Sequence, residues 1–412
     1  MPRRVNGLRC RECGAEYELQ ATHVCSTCFG PLDVAYDYDA VRKAVSRERI
    51  ESGPPSMWRY RDLLPVEDDD AVVTLGEGMT PLVRATRLGQ ELGLRNLYLK
   101  NDSMNPTNSF KDRVVSVAVS WARAHGFETI GCASTGNLAH AVAAYSARAG
   151  LECYVCLPDD IESAKIVSAS VFEPNLVEIR GTYDDVNRLC AQLIDDYPWA
   201  VCNVNVRPFY AEGSKTLTFE TVEQLGWRLP DEIVIPIASG CQFVRHRQAV
   251  RELLDLGLVD GDRVPRFTGA QALGCAPVYN AWRDGTERVT PVRPNTIARS
   301  IAIGNPSDGG YVVRIAGETG GVVEAVTEEE IVDAIRLLAR TEGIFTETAG
   351  GVTVAVLRKL AAAGRWSGDE TIAAYITGHG LKTADALNGS TGARRFTIDP
   401  SMRSFREHVL AS

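Results

Sequence analysis

A single lysine, Lys111, stands in the polar stretch "NPTNSFKDR" (105–113), after a strand-like "NLYLKN" and at the head of a helix-like "DRVVSVAVSWARAHG". An ordinary surface lysine occupies a helix face with a carboxylate one turn away. This one instead sits where a strand hands over to a helix, a place at which α/β sheets collect ligands. Three further strand-to-helix turns are polar and contain glycine: "CASTGN" before Asn137, "IASGCQ" (237–242) and "ITGHGLKT" with Thr377 and Gly378. The first offers Ser134, Thr135 and backbone N–H groups to an anion, and the second can cradle a phosphate.

A reactive lysine, an anion-binding turn and a hydroxyl at a strand end are the parts that a pyridoxal-phosphate site requires. The amine bonds covalently to the cofactor and later carries protons, and helix N-terminal amides hold its phosphate. A hydroxyl at the pyridine nitrogen, in place of a carboxylate, leaves that nitrogen largely unprotonated. The six histidines (His23, His125, His140, His246, His379 and His408) form no triad-like arrangement, and no G-x-G-x-x-G or Walker loop is present. Hydride transfer and nucleotide hydrolysis therefore lack their equipment.

A second chemistry belongs to the first thirty residues. Cys10, Cys13, Cys25 and Cys28 form two CxxC pairs separated by "GAEYELQATHV", which reads as a zinc ribbon with four protein ligands and no open position, and so as a structural site. The segment is poor in basic residues. Cys153 and Cys156 lie in the apolar "LECYVCLP" and read as core residues of a strand.

The elements that position these groups alternate. "TIGCAS", "LECYVCLP", "NLVEIR", "EIVIPIAS", "RFTGAQAL" and "TIAAYITG" are short apolar runs, interleaved with helical stretches such as "GNLAHAVAAYSARAG", "DDVNRLCAQLIDDY" and "EEIVDAIRLLARTEG". That order predicts an α/β fold with mostly parallel sheets. "DYDAVRKAVSRERIESG" is expected to form one charged helix ahead of an acidic turn at "VEDDDA". At 412 residues the chain is long enough for two or three domains. Its net charge of −9 argues against nucleic acid as a partner. No apolar run reaches a membrane span, no export signal is evident at the amino terminus, and eleven cysteines then point to reduced thiols and the cytoplasm.

The lysine loop "NPTNSFKDR" resembles that of the threonine synthases, in the tryptophan-synthase-β-like group of pyridoxal-phosphate enzymes. The likeness continues in order through "GEGMTPL" (76–82), "STGNLAHAVAAYSARAG" (134–150), "AEGSKTLTFE" (211–220), "RPNTIARSIAIGNPSDG" (293–309), "ARTEGIFTETAGGVTVAVLRKL" (339–360) and "TGHGLKT" (377–383). The resemblance implies two three-layer α/β/α domains closing over the cofactor behind the ribbon. The ribbon-like segment would be 1–34, the large cofactor-binding domain 35–109 with 221–412, and the smaller mobile domain 110–220. It makes Lys111 the Schiff-base lysine, sets Asn137 on the cofactor's 3-hydroxyl and Thr377 on its pyridine nitrogen, and gives its phosphate to Ala238, Ser239, Gly240, Cys241 and Gln242. Thr80, Ser134, Thr135, Asn205 and Arg207 would bind substrate. Two departures stand out: "ASGCQ" has one glycine, with Cys241 where a small residue often sits, and Tyr210 replaces an arginine of some relatives.

The implied activity is that of a carbon–oxygen lyase acting on a phosphate ester, taking O-phospho-L-homoserine and water to L-threonine and phosphate in a homodimeric, cytoplasmic enzyme. The alternative within the group is β- or γ-substitution on another phosphorylated amino acid, such as phosphoserine. A ribbon protein with a degenerate enzyme domain is the non-catalytic alternative, which the intact Lys111, Asn137 and Thr377 oppose.

Overall fold

A computed structural model describes residues 4–134, 136–159, 161, 163–387 and 393–410. The chain opens on a three-stranded antiparallel sheet of β1 (Val5–Cys10), β2 (Glu16–Tyr17) and β3 (Leu32–Tyr36), with β1 in the centre. Strands β4 (Leu82–Arg84) and β5 (Asn96–Asn101) begin a second sheet. A third, all-parallel sheet follows, made of β6 (Thr129–Ala133), β7 (Glu152–Pro158), β8 (Asn175–Ile179) and β9 (Ala200–Val201) in the order 8-7-6-9. The chain then returns to the second sheet with β10 (Glu232–Pro236), β11 (Arg266–Ala272), β12 (Val323–Val326) and β13 (Thr371–Ile376). The order there is 12-11-10-13-5-4, and only β4 runs antiparallel to its neighbour. The β-rich runs and helices alternate as the sequence predicts, and Cys153 and Cys156 are buried in β7.

One expectation needs correction. The charged stretch after β3 is two helices, Tyr38–Ala44 and Arg47–Glu51, rather than one. Val45 is extended, and the Ser46 hydroxyl accepts from the Arg49 N–H. A serine at that point ends one helix and caps the next more favourably than it continues either.

The Lys111–Ala124 helix connects β5 to β6 and is buried from Asp112 through Ala122, so its apolar residues pack all round. Its polar residues are correspondingly committed. Arg113 donates to Asp102 at 2.7 and 2.9 Å and to Glu220 at 2.6 and 2.7 Å, and Lys100 pairs with Glu220 at 2.8 Å. All four side chains are buried. They belong respectively to the lysine helix, the turn after β5, the Lys215–Gln224 helix and β5. The loop between is pinned as well. Asp112 accepts from the Thr107 N–H and hydroxyl, Asn105 accepts from the Gly78 N–H, and the Phe110 N–H donates to the Thr377 carbonyl at 2.9 Å.

Arg113→Met strands the buried Asp102 and leaves Glu220 to Lys100 alone, and the expected loss is about 3–5 kcal/mol, read as a lower urea midpoint. Burial alone would raise the Glu220 carboxyl, but Arg113 and Lys100 bring it down to about 2. Its folded value lies below its unfolded one, so its contribution is complete above pH ~4.5 and disappears as pH falls through about 2. The stability difference between wild type and Glu220→Gln should therefore be flat above pH ~5 and shrink below it, as acid titration of both unfolding midpoints would show.

Candidate active site

Lys111 begins its helix at the floor of a cavity of about 380 Å³. Ser134, Asn137, Arg207, Tyr210, Ser239 and Cys241 share its lining, contributed by the turns after β6, β9 and β10. A smaller pocket of about 50 Å³ runs from Lys111 and Tyr210 along Ala238–Gln242. Two of the three turns singled out in the sequence, those at Ser134–Asn137 and Ala238–Gln242, thus line the space around Lys111.

The Lys111 amine lies 3.2 Å from the Tyr210 hydroxyl. Burial lowers its pKa, partly opposed by the negative charge of Glu347. A neutral amine is the form that attacks a carbonyl carbon or accepts a proton. Burial also raises the Tyr210 phenol, so this neighbour stays protonated.

Buried polar atoms at this cavity and its adjoining pocket are left open, among them one amide oxygen and one amide nitrogen. Asn137 donates its Nδ2 to both Glu347 carboxylate oxygens at 2.9 Å, while its buried Oδ1 has no partner. Gln242 Nε2 is likewise buried and unpartnered, in the first turn of the Cys241–Asp255 helix. Gly240 precedes that helix with φ +89°, and a Cβ there would meet the Asp308 backbone at 2.9 Å. The loop is therefore built for glycine, and its one glycine stands where one is needed. A helix N-terminus with a spare amide donor suits a phosphate, and a spare amide oxygen beside the lysine suits a ring hydroxyl. These residues fit pyridoxal phosphate.

The other expected residues separate into two groups. Ser134 lines the cavity, with its Oγ accepting from the Gly136 and Ala139 N–H groups at 2.9 and 2.8 Å. Arg207 lines it too, donating to Ser307 at 2.8 Å and to Asp308. Thr377 is buried just past β13, linked to the lysine loop through its carbonyl, and is not among the cavity-lining residues. Neither is Thr80, whose hydroxyl donates to Asp102 at 2.7 Å and accepts from Arg113. Asn205 spends its amide on Val201 N–H and the Trp199 carbonyl, at 2.8 and 2.9 Å. Thr135 lies outside the described residues.

Tyr210, Glu347 and Asp308 were not anticipated as parts of the site. Each lies in or beside a quoted motif, but their partners are 99, 210 and 101 residues away in the chain. Only the departure from arginine at Tyr210 offered a signal. The sulfur atoms of Cys10, Cys13, Cys25 and Cys28 all lie within 4.8 Å of one another, with Cys10–Cys28 at 3.4 Å and Cys13–Cys25 at 3.6 Å. His23, Phe29 and Pro31 from the same segment form part of the cavity wall.

Comparison with known proteins places this geometry. Residues 73–378 match the family described as pyridoxal-phosphate dependent enzyme. The chain is 39% identical to a threonine synthase of Methanocaldococcus jannaschii over 92% of this chain and 93% of that protein. It is 40% identical to one of Methanosarcina acetivorans, over 91% and 92%, and 38% identical to one of Mycobacterium tuberculosis, over 83% and 92%. Among solved structures, an O-ureido-L-serine synthase superposes with a TM-score of 0.62 at 21% identity, covering 79% of this chain and 96% of that one. Diaminopropionate ammonia lyase from Escherichia coli gives 0.64 at 15% identity, over 77% and 88%. These two share the fold alone. Long matches at this identity, together with a lysine at the head of a converging set of strand-end turns, show that the chain belongs to the threonine synthase family of pyridoxal-phosphate-dependent enzymes.

Proposed function

We propose that the protein converts O-phospho-L-homoserine and water into L-threonine and phosphate, with Lys111 as the lysine that bonds to pyridoxal phosphate. The observation that carries this is the buried, pKa-lowered Lys111 amine at a cavity lined by Asn137, whose Oδ1 is unpartnered, with the unpartnered Gln242 Nε2 on the adjoining pocket. Asn137 would meet the cofactor's hydroxyl, and the Ala238–Gln242 turn its phosphate. When bound, the cofactor supplies an electron sink for charge developing at the substrate's Cα.

The chain's own residues then do the proton work. Lys111, once released by the incoming amino group, takes the Cα proton on its Nζ and returns protons later in the sequence. The Tyr210 hydroxyl holds that amine in place, and Phe110 and Tyr210 flank it with ring faces 5.6 and 5.9 Å from Nζ. Glu347 orients Asn137 through two hydrogen bonds. Arg207 is the cation on the cavity wall suited to the phosphate leaving from Cγ. Ser134 Oγ is bonded to the start of its own helix through Gly136 and Ala139, so it shapes the wall rather than reaching for an anion.

We further propose that the four cysteines hold zinc. Tetrahedral Zn–S bonds of ~2.3 Å imply sulfur–sulfur edges of about 3.8 Å, close to the 3.4 and 3.6 Å separations here. The two CxxC turns are alike: Gly14 N–H donates to the Cys10 carbonyl and Phe29 N–H to the Cys25 carbonyl. All eleven cysteines are free thiols, which supports a reducing, cytoplasmic setting.

Two measurements test these readings. Purified wild type should show a visible cofactor band that changes on adding O-phospho-L-homoserine and should release phosphate and threonine. Lys111→Ala should lose that band and fall at least ~10³-fold in turnover. Unchanged turnover in the variant would refute the role of Lys111, and turnover of phosphoserine alone by wild type would redirect the substrate. Elemental analysis should find about one zinc per chain, and its removal by a chelator should lower the melting temperature; a folded protein free of zinc would end the metal assignment.

A further inference from the structure

Besides lining the cavity with His23, Phe29 and Pro31, the cysteine segment is tied to the cavity's charged residues through Arg11. Arg11 lies between Cys10 and Cys13, and its guanidinium is divided between two carboxylates. Nε and Nη2 donate to Asp33 at 2.9 and 2.7 Å, and Nη1 donates to Asp308 Oδ1 at 2.8 Å. Asp308 is almost fully buried and is itself shared. Its Oδ2 accepts from Arg207, its N–H donates to the Ser239 carbonyl at 2.9 Å, and its backbone closes over Gly240. One carboxylate therefore links a cysteine turn, the cationic wall of the cavity and the loop after β10.

The division of Asp308 matters chemically. With one oxygen held by Arg11, Asp308 makes a single-oxygen pair with Arg207, whose side chain remains 21% exposed at the cavity. Without Arg11 both oxygens are free to close on Arg207 as a two-point pair. Arginine–carboxylate pairs of that kind are strong and geometrically exclusive. They would compete with an incoming phosphate for the same guanidinium.

We propose that Arg11 is a positioning residue for the anion end of the active site: by occupying Asp308 it keeps the Arg207 guanidinium available to the substrate's phosphate. The cysteine segment is thereby a working wall of the site and not only a stabilising appendage. This inference rests on the reading of Arg207 as the phosphate-facing cation.

The test uses the holoenzyme, with Arg11→Met and Arg11→Lys beside wild type. Steady-state kinetics with O-phospho-L-homoserine and competition by inorganic phosphate are the readouts. For Arg11→Met, KM and the phosphate inhibition constant should both rise about ten-fold while kcat stays within about three-fold, the pattern of lost ground-state binding. Arg11→Lys, which restores the charge without the fork, should recover part of the loss. A folded Arg11→Met with KM and phosphate inhibition unchanged, or with a fall confined to kcat, overturns the proposal. If Arg11→Met does not fold, Arg11→Ala carries the same criteria, since it likewise leaves Asp308 Oδ1 without its donor. If wild type does not turn over O-phospho-L-homoserine, the proposed function fails on its own. Calorimetric titration of inorganic phosphate into both holoenzymes then still decides: weaker binding by the variant supports the clamp, and equal binding overturns it.

Discussion

The site depends on a buried cluster of four charges, two of each sign, in which Arg113 holds Asp102 and Glu220 while Lys100 shares Glu220. Removing four charges from water is unfavourable, and their attraction offsets this only when every hydrogen bond is made. Here Arg113 is fully supplied: Nε and Nη2 face Asp102, Nη1 and Nη2 face Glu220, and Thr216 and Thr80 take the remaining directions. Such an arrangement tolerates one register of the four segments that meet in it. Successive helical residues turn by about 100°, so positions two apart point to nearly opposite sides. With Arg113 drawn into the cluster, Lys111 is turned away from it and toward the cavity. The direction of the Lys111 amine is thus set two residues downstream of it.

That constraint also explains what could be read from the chain and what could not. The strand and helix alternation follows from local pattern, and so do the turns that bring Lys111, Ser134, Asn137 and Ser239 to one cavity, because each directly follows a strand of a parallel sheet. The break at Ser46 was missed because a charged periodic stretch resembles a helix until its capping hydroxyl is seen in place. Thr80 and Asn205 show the harder limit. A polar residue in a motif can face a ligand or satisfy a buried donor, and residue type does not separate the two. Thr80 is bonded to Asp102 and Arg113, and Asn205 to the backbone of its own turn. Tyr210, Glu347 and Asp308 are placed by contacts across 99 residues or more, beyond the reach of any local pattern.

The amino-terminal segment illustrates the same dependence on distant contacts. A three-stranded sheet of this size buries too little apolar surface to hold itself together. Its inward residues Val5, Leu8, Leu32, Val34 and Tyr36 instead join the main core. Polar ties accompany them: Tyr36 donates to Glu212 at 2.8 Å, and Asp33 accepts from Arg245 at 2.6 Å as well as from Arg11. The cysteine turns are therefore seated on the enzyme body at a fixed position, which is what allows His23 and Phe29 to serve as cavity wall.

The two ends of the cavity consequently call for opposite electrostatics. At the lysine end, burial depresses the amine, and the Tyr210 phenol beside it stays neutral because burial raises its own pKa. At Arg207 burial also works against the charge, yet Asp308 holds the guanidinium above its ordinary value. That same carboxylate is shared with a second guanidinium, Arg11, on its other oxygen. An amine depressed by burial and a guanidinium kept charged by a shared carboxylate can then coexist within one small, largely buried space.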